Sequence, residues 1–173
     1  MVAEGRRRDS KLDSLRERLQ DWVGVRPPKQ SSNAAKGVIA VNGFVVEVEN
    51  RPGELVRVTE TLAARGVNLL LYSLGLDGRG DVVFLASDEE TTRSTLRDAG
   101  ISFREFPLMF IRIEDRPGQV AAASRKLADE AVNIEIWLPV DTRKESFTVA
   151  LGVDNTEIAQ KVLSDQLTTF SYM

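Results

Sequence analysis

Apolar and polar positions between residues 44 and 106 change period in a regular way, and these changes predict alternating strands and helices. Phe44, Val46 and Val48 alternate with Val45, Glu47 and Glu49, which indicates a strand with one buried face. Leu55, Val58 and Leu62 follow at spacings of three and four, which indicates a helix with one apolar stripe. The predicted order is βαββαβ, with strands at 44–49, 67–74, 82–86 and 101–106 and helices at 52–65 and 88–99.

The same pattern is written a second time at an offset of 65 residues, without a gap. ENRPGEL at residues 49–55 lies over EDRPGQV at residues 114–120, and the register continues through the following strands. A gap-free match of this length indicates two copies of one structural unit. Pro107 alone separates the copies, so we expect them to lie side by side. The second copy predicts strands at 108–114, 132–138, 146–152 and 167–172 and helices at 117–130 and 155–165.

The N-terminal residues lie outside the repeat and predict a helix followed by a linker. The segment Ser10–Val23 carries an apolar stripe of two heptads, formed by Leu12, Leu15, Leu19 and Trp22. Because a helix this short is marginal in water, its stripe should dock on the rest of the chain or on a second chain. We therefore divide the chain into an N-terminal helix and polar linker at 1–42, a first repeat at 43–106 and a second repeat at 107–173.

Composition narrows the classes of function. The chain contains no cysteine and no histidine. Disulfides, thiol nucleophiles and cysteine-ligated metals are therefore excluded, as are the usual general base near neutral pH and the commonest metal ligand. These absences argue against an enzyme, and we expect no catalytic residue, no metal and no cofactor. No stretch of apolar residues is long enough to span a membrane, and the reducing cytoplasm is the expected location.

Charge is distributed unevenly along the chain. Residues 1–36 hold nine Lys/Arg and five Asp/Glu, a net charge of +4, which leaves −7 for the remainder because the total is −3. Neutralising the phosphates of a nucleic acid requires a basic face. The acidic body of the chain therefore argues against a nucleic-acid partner.

The turn between the first strand and the helix of each repeat, residues 50–53 and 115–118, is called the entry turn below. Asn50 or Asp115 can accept a backbone N–H there and fix the turn. Gly53 and Gly118 in the first helical turn would each cost about 1 kcal/mol against alanine. Their recurrence suggests that something approaches the backbone, and a helix N-terminus without a side chain suits a carboxylate. The alternative is a well-formed turn with no further role, which explains Pro52 completely.

Two asparagines, Asn68 and Asn133, stand at the start of the second strand of each repeat. An amide side chain both donates and accepts, so it can bind an ammonium group and a carboxylate together. An asparagine that bonds its own backbone in a turn is an equal alternative. Tyr72 and Trp137 are matched aromatics on the same strand, either at a pairing edge or in an ordinary core or surface position.

The stretch VEVENRPGELVRVTETLAARGVNLLLYSL resembles an ACT domain, a regulatory module of many enzymes of amino-acid metabolism, and the second copy resembles one too. The resemblance covers residues 43–172. It implies an α+β fold in which two ferredoxin-like βαββαβ units, each with strand order 4-1-3-2, pair into an antiparallel eight-stranded sheet. In many members an amino acid binds between paired units. By position the resemblance nominates Asn50, Arg51, Gly53, Glu54, Leu55 and Asn68, and in the second copy Asp115, Gly118, Gln119, Val120 and Asn133.

The leading hypothesis is a stand-alone tandem ACT protein, expected to be a homodimer, that binds an amino acid and regulates a partner enzyme or regulator. The alternative is a ligand-free structural or oligomerisation module with the same fold. Because Glu54 becomes Gln119 and Asn50 becomes Asp115, two equivalent sites are not assured. An acylphosphatase would need a glycine-rich phosphate loop, and RNA binding would need basic surroundings and exposed aromatics; the sequence shows neither.

Overall fold

The computed structural model describes residues 41–143 and 145–170. The predicted helix at Ser10–Val23 and most of the linker lie outside these residues. The elements in chain order are β1 (Val41–Glu49), α1 (Glu54–Ala63), β2 (Leu69–Leu76), β3 (Arg79–Ala86), α2 (Glu89–Asp98), β4 (Arg104–Glu114), α3 (Gln119–Asp129), β5 (Ile134–Thr142), β6 (Ser146–Val153), α4 (Thr156–Val162) and β7 (Leu167–Thr168). The predicted βαββαβ order is confirmed in both repeats.

All strand pairs are antiparallel, and the row of strands reads β2-β3-β1-β4-β6-β5, with β7 also paired to β4. In the first repeat the order is β4-β1-β3-β2, and in the second it is β7-β4-β6-β5. Both correspond to the 4-1-3-2 order that the resemblance implied.

The expectation of eight strands was wrong for the described part of the chain, which contains seven. The fourth strand of the first repeat and the first strand of the second are one continuous strand, β4, which passes through Pro107. Its first residues pair with β1, with Leu108 opposite Val41, and residues 109–114 pair with β6. Proline holds the residue before it in an extended conformation, so a one-residue link continues the strand.

Three apolar clusters hold the sheet and helices together. One packs α1 and α2 on the sheet of the first repeat, around Phe44, Leu62 and Leu96. A second packs α3 and α4 on the sheet of the second repeat. The third lies on the opposite side of the sheet, called the inner face below, and joins the two repeats through Val45, Leu85, Leu108, Phe110, Ile136 and Ala150. The sheet therefore curls, so that the inner faces of the two repeats pack against each other.

The glycine-rich segment at 75–80 contains a two-residue hairpin turn. Asp77 and Gly78 join β2 to β3 with φ of 49° and 81°. Two consecutive residues with positive φ match the right-handed twist of the flanking strands, and Asp-Gly is a preferred pair for such a turn.

Candidate ligand-binding site

The glycines of the entry turns owe their identity to backbone conformation. Gly53 and Gly118 precede α1 and α3 with φ of 97° and 91°, in the left-handed region that side chains disfavour. They cap the helices, which begin at Glu54 and Gln119, so the prediction of helices starting at the prolines was wrong. A Cβ at either glycine would meet nothing within 4 Å. The turn alone thus requires glycine, and the space above it is open.

Backbone hydrogen bonds anchor both entry turns to the neighbouring hairpins. The amide of Asn50 donates to the Gly78 carbonyl at 3.0 Å, and the amide of Asp115 donates to the Glu145 carbonyl at 2.9 Å. The expected side-chain bonds from Asn50 and Asp115 to the turn amides are not formed among the described residues. Instead the Asn50 side chain lies against Gly75, where a Cβ would stand 2.5 Å from its Oδ1.

Glu54 is held by two arginines of its own repeat. Its Oε1 accepts from Arg51 Nε at 3.0 Å and Nη2 at 2.8 Å, and its Oε2 accepts from Arg57 at 3.2 and 3.1 Å. These hydrogen bonds lower the pKa of the Glu54 carboxyl, first through Arg51 and then through Arg57. The second repeat replaces Glu54 by Gln119 and Arg57 by Ala122. The two entry turns therefore differ in charge and in hydrogen bonding.

Leu55 and Val120 occupy equivalent positions in the first turn of α1 and α3. They are 39% and 44% exposed, whereas Val58 and Leu62 are fully buried. The sequence placed Leu55 in the buried stripe, which was wrong: Leu55 lies in the first turn of α1 and is exposed. Val120 is exposed at the matching position of α3.

Asn68 and Asn133 are fixed through their backbones. The Asn68 amide donates to Ser87 Oγ at 3.0 Å, and the Asn133 amide donates to Asp154 Oδ1 at 2.9 Å. Both residues are exposed. Neither side chain forms a hydrogen bond within residues 41–143 and 145–170, so the alternative of an asparagine that bonds its own turn does not apply. Their amide groups are available to a ligand.

The sheet register separates the two halves of the candidate site within one repeat. Glu49, at the end of β1, pairs with Arg79 beside the β2–β3 hairpin. Asn68 adjoins Ser87, beyond the other end of β3. The eight residues of β3 span about 25 Å at a rise of roughly 3.3 Å per residue. Gly53 and Asn68 of the same repeat therefore cannot contact one ligand.

The outermost strands of the row, β2 and β5, meet where the Tyr72 hydroxyl donates to the Pro139 carbonyl. This meeting of β2 and β5 is called the seam below. The described residues of β2 and β5 form no ladder with each other, so this contact is what joins the two edges. Tyr72 thus lies at an inter-repeat edge. Its partner in the repeat, Trp137, packs instead against the core under α3 and α4.

Sequence reasoning did not single out a charged group on the inner face. Arg104 Nη2 lies 3.2 Å from Glu47 Oε1, and Glu47 pairs across the strands with Asp81. Burial and then the Glu47 charge raise the pKa of Asp81, while Arg104 opposes the shift. Burial and then Asp154 raise the pKa of Glu135, again against Arg104. The sequence signal for this charged group is a charged residue at an inward-facing position of an otherwise apolar strand, as at Glu47, Asp81 and Arg104.

Two α+β units with ferredoxin-like strand order that share one strand define the class of this protein. The ACT domain pair family matches residues 39–171, and the chain belongs to this family. A comparison with curated protein sequences finds no match. None of the helices in the described part of the chain is long and apolar enough to cross a membrane.

Solved structures show the same fold at low sequence identity. Protein BT0572 from Bacteroides thetaiotaomicron has a TM-score of 0.66 at 23% identity, covering 76% of this chain and 93% of that one. The ligand-free regulatory subunit of aspartate kinase from Thermus thermophilus has a TM-score of 0.52 at 16% identity, covering 76% and 95%. The aspartokinase alpha and beta subunits have a TM-score of 0.52 at 19% identity, covering 76% and 97%.

Proposed function

We propose that the protein binds a free amino acid at the seam and thereby controls a partner protein. Each site combines the entry turn of one repeat with the second-strand asparagine of the other. The observation that carries this proposal is the contact of β2 with β5 at Tyr72 and Pro139. It supplies the pairing that a single repeat cannot provide.

The positions along the seam follow from that contact. We take the two edges to run antiparallel, as every neighbouring pair in the row does. Residues that precede Tyr72 on β2 then face residues that follow Pro139 on β5. Asn68 then faces the end of β5, close to the Glu145 carbonyl that anchors Asp115. By the same geometry Asn133 faces the β2–β3 hairpin that anchors Asn50. We therefore assign Asn68 to the second entry turn and Asn133 to the first.

The chemistry at each site suits the two charged groups of an amino acid. Open N–H groups at the start of α1 or α3 can donate to the ligand carboxylate. The asparagine amide can accept from the ammonium group and donate to the carboxylate. Leu55 and Val120 are exposed in the first turns of α1 and α3 and can contact an apolar ligand side chain. Asp115 adds a carboxylate for the ammonium in the second entry turn, where the first has Asn50.

Regulation of a partner is the role that this binding would serve. The fold neighbours include proteins named as regulatory subunits of aspartate kinase, and the family consists of paired domains. A ligand that contacts both repeats would tighten the seam and so change the surface offered to a partner. We propose an enzyme or a regulator as that partner, a homodimer as the assembly and domains at 43–106 and 107–173.

A thermal-unfolding screen with the twenty amino acids tests ligand binding. A ligand at 100 times its dissociation constant should add about 2.7 kcal/mol to the free energy of unfolding. Calorimetry with each hit then measures affinity and stoichiometry, and Ser94→Ala, an exposed substitution on α2, serves as the control. Absence of stabilisation by all twenty compounds would contradict the proposal.

Pairs of substitutions test the composition of the sites. Asn68→Ala should remove one of the two ligands bound per chain. Adding Asp115→Ala to that variant should leave the stoichiometry at one, because both residues belong to the same site. Adding Asn50→Ala should instead abolish binding. If Asn50 and Asn68 behave as one site, the assignment across the seam is wrong.

The structural module without a ligand is the second candidate function, and two observations favour it. The conformation of Gly53 and Gly118 explains these glycines without a ligand. Arg51 and Arg57 already occupy both oxygens of Glu54. Under this alternative none of the twenty amino acids shifts the unfolding temperature, while the mass in solution still corresponds to a dimer.

A further inference from the structure

Past the contact of Tyr72 with Pro139, β2 presents an edge with exposed apolar side chains that pairs with no described strand. Leu74 and Leu76 are 62% and 57% exposed. Side chains at every second residue of a strand share one face, so Leu74 and Leu76 lie on the same face as Leu70 and Tyr72. Leu70 packs on the inner-face cluster, so Leu74 and Leu76 belong to the inner face. The last strand of a row leaves one line of N–H and C=O groups unpaired, which is a template for another strand. The edge at residues 73–76 is therefore both apolar and unpaired within the described residues. It lies between Tyr72 and the hairpin that the proposed function places opposite Asn133, so a strand added here would exclude an amino acid from the first entry turn and leave the second entry turn accessible.

The equivalent edge of the second repeat carries features that block strand addition. Pro139 and Asp141 stand 65 residues after Leu74 and Leu76. The register of β5 is also irregular between Ile134 and Ile136 and again between Pro139 and Asp141. Proline, charge and bulges are the devices by which proteins protect edge strands. The two repeats thus diverge at this position, and β2 is the edge left open.

Acidic groups lie directly beside the exposed leucines. Leu74 pairs with Asp81 on β3, and Asp81 pairs with Glu47 on β1, so the three form one row across the inner face. Glu47, Asp81 and Glu135 all interact with Arg104. In the next row Leu76 lies beside Arg79 and Glu49. Among the described residues, these three carboxylates share interactions with Arg104, and this local concentration of carboxylates favours a basic partner.

We propose that residues 73–76 bind an extended segment of a partner protein that carries lysine or arginine at alternate positions. Its backbone pairs with the open edge of β2 as an added strand. Its basic side chains lie on the inner face, where their aliphatic parts cover Leu74 and Leu76 and their charged ends reach Asp81. Small polar residues alternate with them, beside Ser73 and Gly75. This surface would give the proposed regulator its contact with a partner.

Fluorescence anisotropy with two labelled hexapeptides tests the proposal on the full chain. The probe is Thr-Lys-Thr-Lys-Thr-Lys, and the control, Thr-Thr-Thr-Lys-Lys-Lys, has the same composition and charge. We expect the alternating peptide to bind at least about tenfold more tightly, since only it places all its lysines on one face of a strand. Equal binding of the two peptides, or no binding of the probe at about 1 mM, overturns the proposal.

Matched variants separate strand addition from general attraction between charges. Leu74→Lys and Val56→Lys change the net charge equally, and Val56 is also exposed, at 51%, but lies on α1. Leu74→Lys should weaken probe binding about tenfold and Val56→Lys less than about twofold. Asp81→Asn should weaken binding and reduce its salt dependence. Equal effects of the two lysine variants contradict strand addition, and circular dichroism verifies that each variant is folded.

Analytical ultracentrifugation, which measures the mass in solution, tests whether a second copy of the chain binds the β2 edge in place of a partner segment. If the mass of the wild type doubles with concentration and Leu74→Lys abolishes the doubling, a second copy of the chain occupies this edge and the proposal is wrong. If Leu74→Lys leaves the mass unchanged while it weakens probe binding, the proposal is supported. Amino-acid binding at the seam is measured separately by calorimetry, so the failure of one proposal leaves the other standing.

Discussion

The turn that ends the first helix of each repeat has the same geometry in both copies but a different residue at its left-handed position. Gly66 has φ of 74° and Ala131 has φ of 55°. The amides of Gly66 and Ala131 donate to the carbonyls of Ala63 and Ala128, at 2.9 and 3.0 Å. The amides of Val67 and Val132 donate to the carbonyls of Leu62 and Leu127, at 3.2 and 2.9 Å. The second repeat therefore holds an alanine where the conformation favours glycine.

Replacing Ala131 by glycine should stabilise the protein. The left-handed conformation costs an alanine about 1–2 kcal/mol. Glycine also makes the unfolded chain more flexible, and this offsets about 0.4–1 kcal/mol of the stabilisation. The net increase in the free energy of unfolding should be about 0.5–1 kcal/mol. Gly66→Ala should lower it by a similar amount, and a Cβ there meets nothing within 4 Å, so packing does not contribute.

Urea denaturation followed by circular dichroism measures both changes. The midpoint should rise for Ala131→Gly and fall for Gly66→Ala with an unchanged slope, because the surface exposed on unfolding is the same. Ala99→Gly is the matched control, since Ala99 ends α2 with a right-handed φ of −82°. Glycine there should cost up to about 1 kcal/mol. An Ala131→Gly variant no more stable than the wild type would refute the reasoning from backbone strain.

Three further outcomes are expected. Gly118→Ala should lower the free energy of unfolding by about 1–2 kcal/mol in urea melts, since φ is 91°; an unchanged midpoint would show that the turn tolerates a side chain. Arg93→Met breaks ion pairs at 2.7 and 2.8 Å to two half-buried carboxylates and should cost about 1–3 kcal/mol, against about 0.5 for exposed Arg97→Ala; similar losses would contradict a role for the ion pairs. Folding raises the pKa of Asp81 above its ordinary value of 3.8. The free energy of unfolding therefore falls as pH rises from about 3.8 through the folded pKa, because the folded state disfavours the ionised carboxylate. Asp81→Asn should therefore be more stable than the wild type at pH 7 and lose this advantage in acid; a constant difference across pH would exclude the linkage.

Local periodicity was sufficient to predict the order of elements. The alternation at residues 44–49 and the gap-free repeat gave each helix and strand its type, because these patterns reflect which face is buried. The helix at 88–99 was predicted within one residue at each end, since Asp88 caps it by accepting from the Thr91 amide at 2.9 Å. A helix cap of this kind involves residues only three positions apart, so the sequence alone can reveal it.

Features that depend on distant partners were missed. Pro107 was taken as the boundary between the two repeats. Instead β1 pairs with residues 104–108 and β6 pairs with residues 109–114, so β4 is one continuous strand. Leu55 was placed in the core, yet it lies in the first turn of α1 and is exposed. The glycines of the entry turns were interpreted as clearance for a ligand, whereas their φ angles alone require glycine. In each case the deciding contact or angle lies outside the local pattern.

The sequence by itself determined that two copies of one α+β unit follow each other, and it named the candidate residues Gly53, Asn68, Gly118 and Asn133. Only the tertiary structure showed that Gly53 and Asn68 of one repeat lie at opposite ends of β3. The register of β3 separates Gly53 from Asn68, and the curl of the shared sheet brings β2 to β5 at Tyr72 and Pro139. The physical reason is that strand pairing and sheet curvature arise from contacts between residues far apart in the chain, whereas periodicity records only which face each residue occupies.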